Sequence, residues 1–264
     1  RYSGLYRTTT PLAIAAAGGG GGAGAGGIGY VGVGAACVQN LGTCSPEIPQ
    51  NIESDDVLIA VVHSYTGTLS HTCSANSCAG WTEFSGQATG NGRLSVWWKR
   101  QDSQDAPVAP VFTGSTNAMT GRIWAFRGVA KSGNPFDQVT TNATQTATTL
   151  FTGSNITSTV PNTMMVFVGG SIDDNTWGPG GGSCTVPSGV ETDFYTDNSL
   201  SNDNSIFLCF DGTPQNGIGS LGVPTMTQAS LGADAGRDFG FNLRPETATG
   251  VLTAGSGGAG GGLT

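Results

Sequence analysis

The chain has 264 residues, of which 44 are glycine and 12 are proline, and only 11% are charged. Average proteins carry charge on about a quarter of their residues. Because glycine weakens helices, this composition argues against a helical fold. A net charge of −8, with 10 Lys and Arg residues against 18 Asp and Glu, argues against a nucleic acid or an anionic membrane as partner.

Residues 1–45 open the chain with a segment of low complexity that contains runs of glycine and alanine. It could be a flexible linker, or it could pack closely on other backbone, since glycine permits close approach. We favour packing on neighbouring subunits, and we expect an assembly arm in which four residues form a strand: Ile28, Tyr30, Val31 and Val33. A similar glycine-rich tail spans residues 250–264.

The body, residues 46–249, predicts a series of short strands. Apolar and β-branched runs alternate with segments rich in Gly, Asn, Asp, Pro and Ser. The runs cover residues 57–62, 94–98, 122–126, 164–168, 205–210 and 238–243. No run has the period and caps of a helix. The sequence therefore predicts an all-β fold, an antiparallel β-sandwich of jelly-roll type.

The predicted strands recur in the same order in two parts of the body, residues 46–140 and 141–249. The runs that begin at Asp55, Arg93 and Arg122 align with those that begin at Asn162, Asn204 and Asp238. A period this long indicates duplicated halves rather than a solenoid. We expect the sandwich to be built from two similar halves.

Six cysteines predict disulfides and an extracellular setting. Many connectivities are open, and pairing of sequence neighbours would join Cys37 to Cys44, Cys73 to Cys78, and Cys184 to Cys209. Each bond would close a short loop and add modest stability. The spacing does not suit zinc, which favours paired C-x-x-C motifs. Since the sequence starts at Arg1 and shows no hydrophobic leader, we expect a removed leader or a fragment.

Five motifs follow one another through residues 46–246. They are Asp55-Asp56-Val57, Gly80-Trp81-Thr82, the strand Arg93-Leu94-Ser95-Val96-Trp97-Trp98-Lys99, Phe126-Arg127-Gly128-Val129 and Leu243-Arg244-Pro245. In order and spacing they resemble a recurrent β-sandwich domain of tailed-phage virion proteins and of secreted bacterial proteins of unassigned role. The resemblance implies a non-enzymatic building block or an adhesin, and it brings no catalytic motif.

Candidate catalytic side chains are few. A serine nucleophile would need a positioned histidine, and we expect His63 and His71 to be surface residues. Glu191 and Asp193 are spaced like an acid pair on a strand, which glycoside hydrolysis would need, but a solvated strand face is the favoured interpretation. The sequence predicts neither an enzyme nor a cofactor.

Two loops and one strand carry candidate binding residues. Asp173 and Asp174 form a weak Ca²⁺ candidate, although Asp is also an ordinary turn residue. Alternation along its strand turns Trp97 to the outer face, where an arm, a loop or an interface would cover it. A sugar could instead stack on Trp97 or on Trp177.

We therefore predict a non-enzymatic structural subunit of an extracellular assembly, either a cell-surface filament or a phage virion fibre or decoration. It would self-assemble through the arm, so that removal of residues 1–36 should abolish assembly and leave the body folded. The alternative is a carbohydrate- or surface-binding adhesive module. A glycosidase is a third hypothesis. Modification of the N-glycosylation sequons at Asn142 and Asn155 remains open.

Overall fold

The computed structural model describes residues 27–39, 42–65, 71–74, 77–89, 92–102, 108–115, 118–140, 143–172, 184–186, 191–198, 204–228 and 234–246. These ranges form twenty β-strands and contain no helix. The strands in chain order are β1 Gly29–Val33, β2 Cys37–Gln39, β3 Gly42–Cys44, β4 Val57–Ser64, β5 Thr72–Cys73, β6 Thr82–Thr89, β7 Gly92–Arg100, β8 Phe112–Ser115, β9 Met119–Arg127, β10 Phe136–Val139, β11 Ala143–Thr148, β12 Leu150–Thr152, β13 Ile156–Ser158, β14 Met164–Ser171, β15 Cys184–Thr185, β16 Glu191–Asn198, β17 Asn204–Asp211, β18 Gly219–Gly222, β19 Thr225–Thr227 and β20 Asp234–Leu243.

Two six-stranded antiparallel sheets form the main layers. The first sheet has the order β1–β9–β4–β7–β6, and β2 also pairs with β9. The second sheet has the order β10–β20–β14–β17–β16, and β11 also pairs with β20. Each sheet comes from one continuous part of the chain. The prediction of an all-β fold with antiparallel sheets is confirmed.

The main core lies between these two sheets. Alternate residues of β4, β7 and β9 meet alternate residues of β14, β17 and β20, as the period of two along a strand requires. Val61, Trp124, Val168 and Phe241 are among the fully buried side chains of this layer. Full burial of one such side chain stabilises the fold by about 1.5–3 kcal/mol, which makes this layer the principal source of stability.

Smaller sheets cover the outer faces of the two large sheets. The sheet β3–β8–β5 lies on the first, where Phe112 packs against Trp97 in an apolar cluster that also contains Leu58. The sheet β12–β19–β15 lies on the second, where Phe151 and Met226 are both fully buried. Both faces of each large sheet are therefore packed, and strands such as β4, β14 and β17 are buried along their whole length.

The residues assigned to a strand of the assembly arm join the first sheet of their own chain. Strand β1 pairs with β9, and Ile28 is only 4% exposed. Tyr30 and Val33 pack on the main core, while Val31 packs on the outer face of the sheet. This differs from the expectation of packing on a neighbouring subunit, because the alternating apolar side chains find partners within the chain. Residues 1–26 and 247–264 lie outside the described residues.

The described ranges contain no helix that is long and apolar enough to cross a membrane.

Candidate functional site

Two of the sequence motifs meet at one end of the sandwich, which we call the motif end. Val129, just after β9, forms a β-bridge with Pro245, just after β20. Ala130 N donates to the Arg244 carbonyl at 2.8 Å, and Glu246 N donates to the Gly128 carbonyl at 2.7 Å. Because β9 belongs to the first sheet and β20 to the second, these backbone hydrogen bonds join the two sheets.

A third motif is tied to the same end by charge. The Asp56 side chain is 1% exposed, and Arg127 donates to both of its carboxylate oxygens at 2.9 Å. Glu53 lies 2.9 Å from another nitrogen of Arg127. The hydrogen bonds that Arg127 donates to Asp56 raise the pKa of its guanidinium. A bidentate pair of this kind fixes geometry as well as charge, so the segment before β4 is held against the end of β9.

The motif end also contains a cleft of about 630 Å³, lined by Ala130, Lys131, Ser132, Val160, Arg244, Pro245 and Glu246. Lys131 Nζ lies 3.0 Å from Glu246 Oε1 and 3.9 Å from Asp55 Oδ2. The hydrogen bond to Glu246 raises the pKa of Lys131. Arg244 Nη2 donates to the Asn134 carbonyl at 2.7 Å. The cleft thus brings two cationic side chains and a carboxylate together in one concave surface.

The opposite end of the sandwich, which we call the histidine end, contains a buried polar cluster on the outer face of the first sheet. The two ring nitrogens of His71 lie 2.8 Å from Ser95 Oγ and 3.0 Å from Ser64 Oγ. Arg93 donates to Ser95 Oγ at 3.2 Å and to Glu83 at 2.9 Å. Burial and, secondly, the charge of Arg93 lower the pKa of His71 to about 3.

The second histidine lies between the two large sheets at the same end. His63 is fully buried, and its ring lies against Gly170 of β14, where a larger residue would place its side chain. Asn204 of the second sheet donates to the His63 carbonyl at 2.9 Å and accepts from Thr120 at 2.6 Å. Burial and, secondly, the charge of Arg237 lower the pKa of His63 to about 3.

The expectation that both histidines are surface residues is therefore wrong. His63 follows an apolar run and His71 lies in a polar segment of the sequence. Neither the distant residues that bury His71 nor Gly170, which faces His63, can be recognised from the local sequence. At 2% exposure, His71 offers a substrate almost no access to its serine contacts. A base with a pKa near 3 also lies far from the value that suits general base catalysis at neutral pH. Around His71, the ring nitrogens hydrogen-bond to Ser64 and Ser95, as buried polar groups require. The two ring nitrogens of His63 have no hydrogen-bond partner among the described residues.

A buried carboxyl group lies near the histidine end of the second sheet. Asp238 on β20 is 1% exposed, and Gln145 of the neighbouring β11 donates a hydrogen bond to it. Burial raises the pKa of Asp238 to about 7, although the Gln145 hydrogen bond and the Arg237 charge act in the opposite direction. Nothing in the sequence around Asp238 distinguishes it from an ordinary turn or edge residue.

The six cysteines pair as sequence neighbours. The bonds join Cys37 to Cys44, Cys73 to Cys78 and Cys184 to Cys209, with Cα–Cα distances of 5.5, 5.6 and 6.4 Å. The first two lie on the outer face of the first sheet, and the third ties β15 to β17 of the second sheet. Three disulfides fit an oxidising environment.

Some of the other predicted site residues lie within the described ranges and some lie outside them. Trp97 is 9% exposed, and its ring centroid lies 5.6 Å from that of Phe112 on β8, so the outer sheet covers it. Asn155 is exposed, and its carboxamide oxygen accepts hydrogen bonds from Ser220 and Gly222. Residues outside the described ranges are Asn142, Asp173, Asp174 and Trp177; for Glu191 and Asp193 only the backbone is described.

Among the described residues, no group of three or more His, Cys, Asp or Glu side chains is arranged to hold a metal ion. Comparison of the chain with protein-family models, with curated proteins and with solved structures finds no match. The candidate function consequently depends on the geometry of this chain alone.

Proposed function

We propose that the protein is a non-enzymatic structural subunit of an extracellular assembly, a cell-surface filament or a phage virion component, that polymerises with copies of itself. The observation that carries the proposal is the position of β1. It is the edge strand of the first sheet, with β9 on one side and no second strand on the other among the described residues. An edge strand of this kind is a template for a strand from another chain.

The composition of β1 supports this use. Its sequence, Gly-Tyr-Val-Gly-Val, has no charged residue and no proline, and these are the features that commonly block edge-to-edge pairing. The glycine- and alanine-rich residues 1–26 end two residues before β1. We propose that residues 1–26 of one copy add as a strand beside β1 of the next copy, which is a known mode of strand addition.

Two further features fit the proposal. Three disulfides are typical of proteins that work outside the cell. The two large sheets also correspond in strand order, since β9–β4–β7–β6 matches β20–β14–β17–β16. We infer that the sandwich consists of two similar, duplicated halves, in keeping with its proposed role as a building block.

Substitution of Gly29 by lysine tests the edge directly. Gly29 is exposed, and a Cβ added there would meet no atom within 4 Å, so the fold should tolerate the change. Lysine on an edge strand opposes pairing with another chain. Negative-stain electron microscopy of the non-reduced protein should show regular filaments or spikes for the natural chain, and dispersed particles for Gly29→Lys.

The matched control is Gly217→Lys, which adds the same side chain at another position with open space around it. Gly217 lies in the loop before β18, remote from β1 in the strand order, so this variant should assemble normally. A natural chain that stays monomeric, or a Gly29→Lys variant that assembles like Gly217→Lys, would contradict the proposal and favour the alternative, an adhesive module that binds carbohydrate.

A further inference from the structure

We propose that the cleft at the motif end binds the carboxylate of an acidic sugar, such as a hexuronic acid within a glycan. The cleft's volume of about 630 Å³ lies within the range of about 300–1,000 Å³ that small-molecule sites occupy. This site is separate from the edge strand β1, so the inference goes beyond the proposed self-assembly and does not depend on it.

The first step concerns the arginine. Arg244 lines the cleft and, within the described residues, uses Nη2 alone for a hydrogen bond to protein, donated to the Asn134 carbonyl. A guanidinium has five N–H donors in a planar fork that fits a carboxylate in bidentate fashion. No carboxylate of the described residues forms an ion pair with Arg244. Within the described residues most of its donors therefore have no protein partner and can bind a ligand.

The second step concerns the local charge. Arg100 Nη2 donates to the carbonyl of Gly133, at 3.4 Å, and Gly133 is the neighbour of Asn134, which accepts from Arg244. Arg100 also has no ion-pair partner among the described residues. Arg100, Arg244 and Lys131 together face two carboxylates, Asp55 and Glu246. Because Arg127 is paired with Asp56 and Glu53, the motif end as a whole is balanced in charge, within a chain whose net charge is −8. Arg100 and Arg244 are its cationic side chains without an ion-pair partner among the described residues, and such side chains attract an anionic ligand.

The third step concerns what surrounds the carboxylate. Glu246 and Ser132 offer oxygen atoms that accept hydrogen bonds from sugar hydroxyl groups, while Val160 and Pro245 give the wall an apolar part for the C–H face of a ring. Lys131 Nζ has three donors, of which Glu246 takes one at 3.0 Å. A ligand that combines one carboxylate with several hydroxyl groups satisfies all of these groups at once, whereas inorganic anions leave Glu246 unused.

Titration calorimetry with glucuronic acid, and with glucose as the neutral counterpart, tests the proposal on the full chain. We expect glucuronic acid to bind with millimolar or better affinity and glucose to bind at least tenfold more weakly, because glucose lacks the carboxylate. Raising the salt concentration should weaken the binding of glucuronic acid, since the attraction is electrostatic at a solvent-exposed site.

Two variants identify the residues. Arg244→Gln should weaken the binding of glucuronic acid at least tenfold, and Lys131→Gln, at a half-exposed position that does not threaten the fold, should weaken it several-fold. The control Lys99→Gln removes the same charge from a residue of β7 that does not line the cleft and whose side chain lies next to Gly80. This variant should bind glucuronic acid normally. Equal affinity for the two sugars, no binding at millimolar concentration, or unchanged binding in both cleft variants would overturn the proposal. Each of these results would leave the proposed assembly through β1 intact.

Discussion

At the scale of single residues, Gly170 and His63 fit together across the main core. A Cβ added to Gly170 would lie 2.7 Å from His63 Cγ and 2.8 Å from Cδ2. Gly170→Ala should therefore lower the free energy of unfolding by about 1–3 kcal/mol, the usual effect of overpacking a close-packed interior. Urea unfolding of the non-reduced protein measures this change.

A double variant shows whether the destabilisation of Gly170→Ala comes from contact with His63 or from the introduction of alanine itself. If His63 is the obstacle, the double variant Gly170→Ala with His63→Ala should be destabilised less than the sum of the two single variants. Gly217→Ala, where a Cβ meets nothing within 4 Å, should change the stability little. Additive effects of Gly170→Ala and His63→Ala would contradict the proposed fit.

The buried titratable groups predict how stability depends on pH. Burial lowers the pKa of His63 and His71 from 6.5 to about 3, so between these values the unfolded chain binds more protons than the folded chain. The free energy of unfolding therefore rises with pH over that range. Asp238 opposes this, because its pKa is raised from 3.8 to about 7 and its contribution is lost as pH rises through that interval. Two histidines should outweigh one carboxyl group.

We therefore expect stability to rise from about pH 3 to about pH 6.5 and to decline slightly from there to about pH 7, as Asp238 ionises. Urea midpoints at a series of pH values measure this. Asp238→Asn should make the rise steeper and remove the decline, while His71→Gln should make the rise shallower. A stability that is flat from pH 3 to 6.5 would show that the two histidines are not buried as neutral groups.

At the scale of elements, the three disulfides should differ in their contribution to stability. The bond between Cys184 and Cys209 spans 25 residues and joins two strands, whereas the bond between Cys73 and Cys78 spans five. Loop-closure entropy gives about 3.5 kcal/mol for the longer loop and about 2 kcal/mol for the shorter one. Cys184 and Cys209 are also fully buried, so their replacement by alanine adds a cavity.

Thermal unfolding of two double variants checks the ranking. Cys184→Ala with Cys209→Ala should lower Tm more than Cys73→Ala with Cys78→Ala, in which both cysteines are only partly buried. An equal effect of the two double variants would mean that residual structure in the unfolded chain, rather than loop length, decides what each bond contributes.

Strand positions and local disulfides could be predicted from the sequence, whereas the sites could not. Runs such as Val57–Val62 and Met164–Val168 lie within the buried strands β4 and β14, because apolar β-branched residues between turn signals leave few other structures open. The burial of His63 depends instead on a glycine more than a hundred residues away. The cleft at the motif end likewise depends on contacts between segments far apart in the chain, such as Lys131 with Glu246, and no local pattern encodes them.

At the scale of the whole molecule, the two ends of the sandwich hold the sheets together by different means. At the motif end, the backbone after β9 pairs with the backbone after β20. At the histidine end, the Asn204 side chain of the second sheet hydrogen-bonds to the first sheet, and the His63 ring faces Gly170. Since β4 and β14 run between these ends through one main core, we expect the sandwich to unfold as a single cooperative unit.

The boundary of that cooperative unit is predicted to lie near residue 27, not near residue 37. Removal of residues 1–26 leaves every described strand intact, so the free energy of unfolding should change by less than about 1 kcal/mol. Removal of residues 1–36 also takes β1 with Ile28 and Tyr30, whose ring centroid lies 5.2 Å from that of Phe210 in the second sheet. Since each buried apolar side chain contributes about 1.5–3 kcal/mol, this longer deletion should destabilise the protein by several kcal/mol. Urea unfolding of the two truncated chains tests the boundary. Equal free energies of unfolding for the two chains would show that β1 lies outside the cooperative unit, as the predicted assembly arm requires.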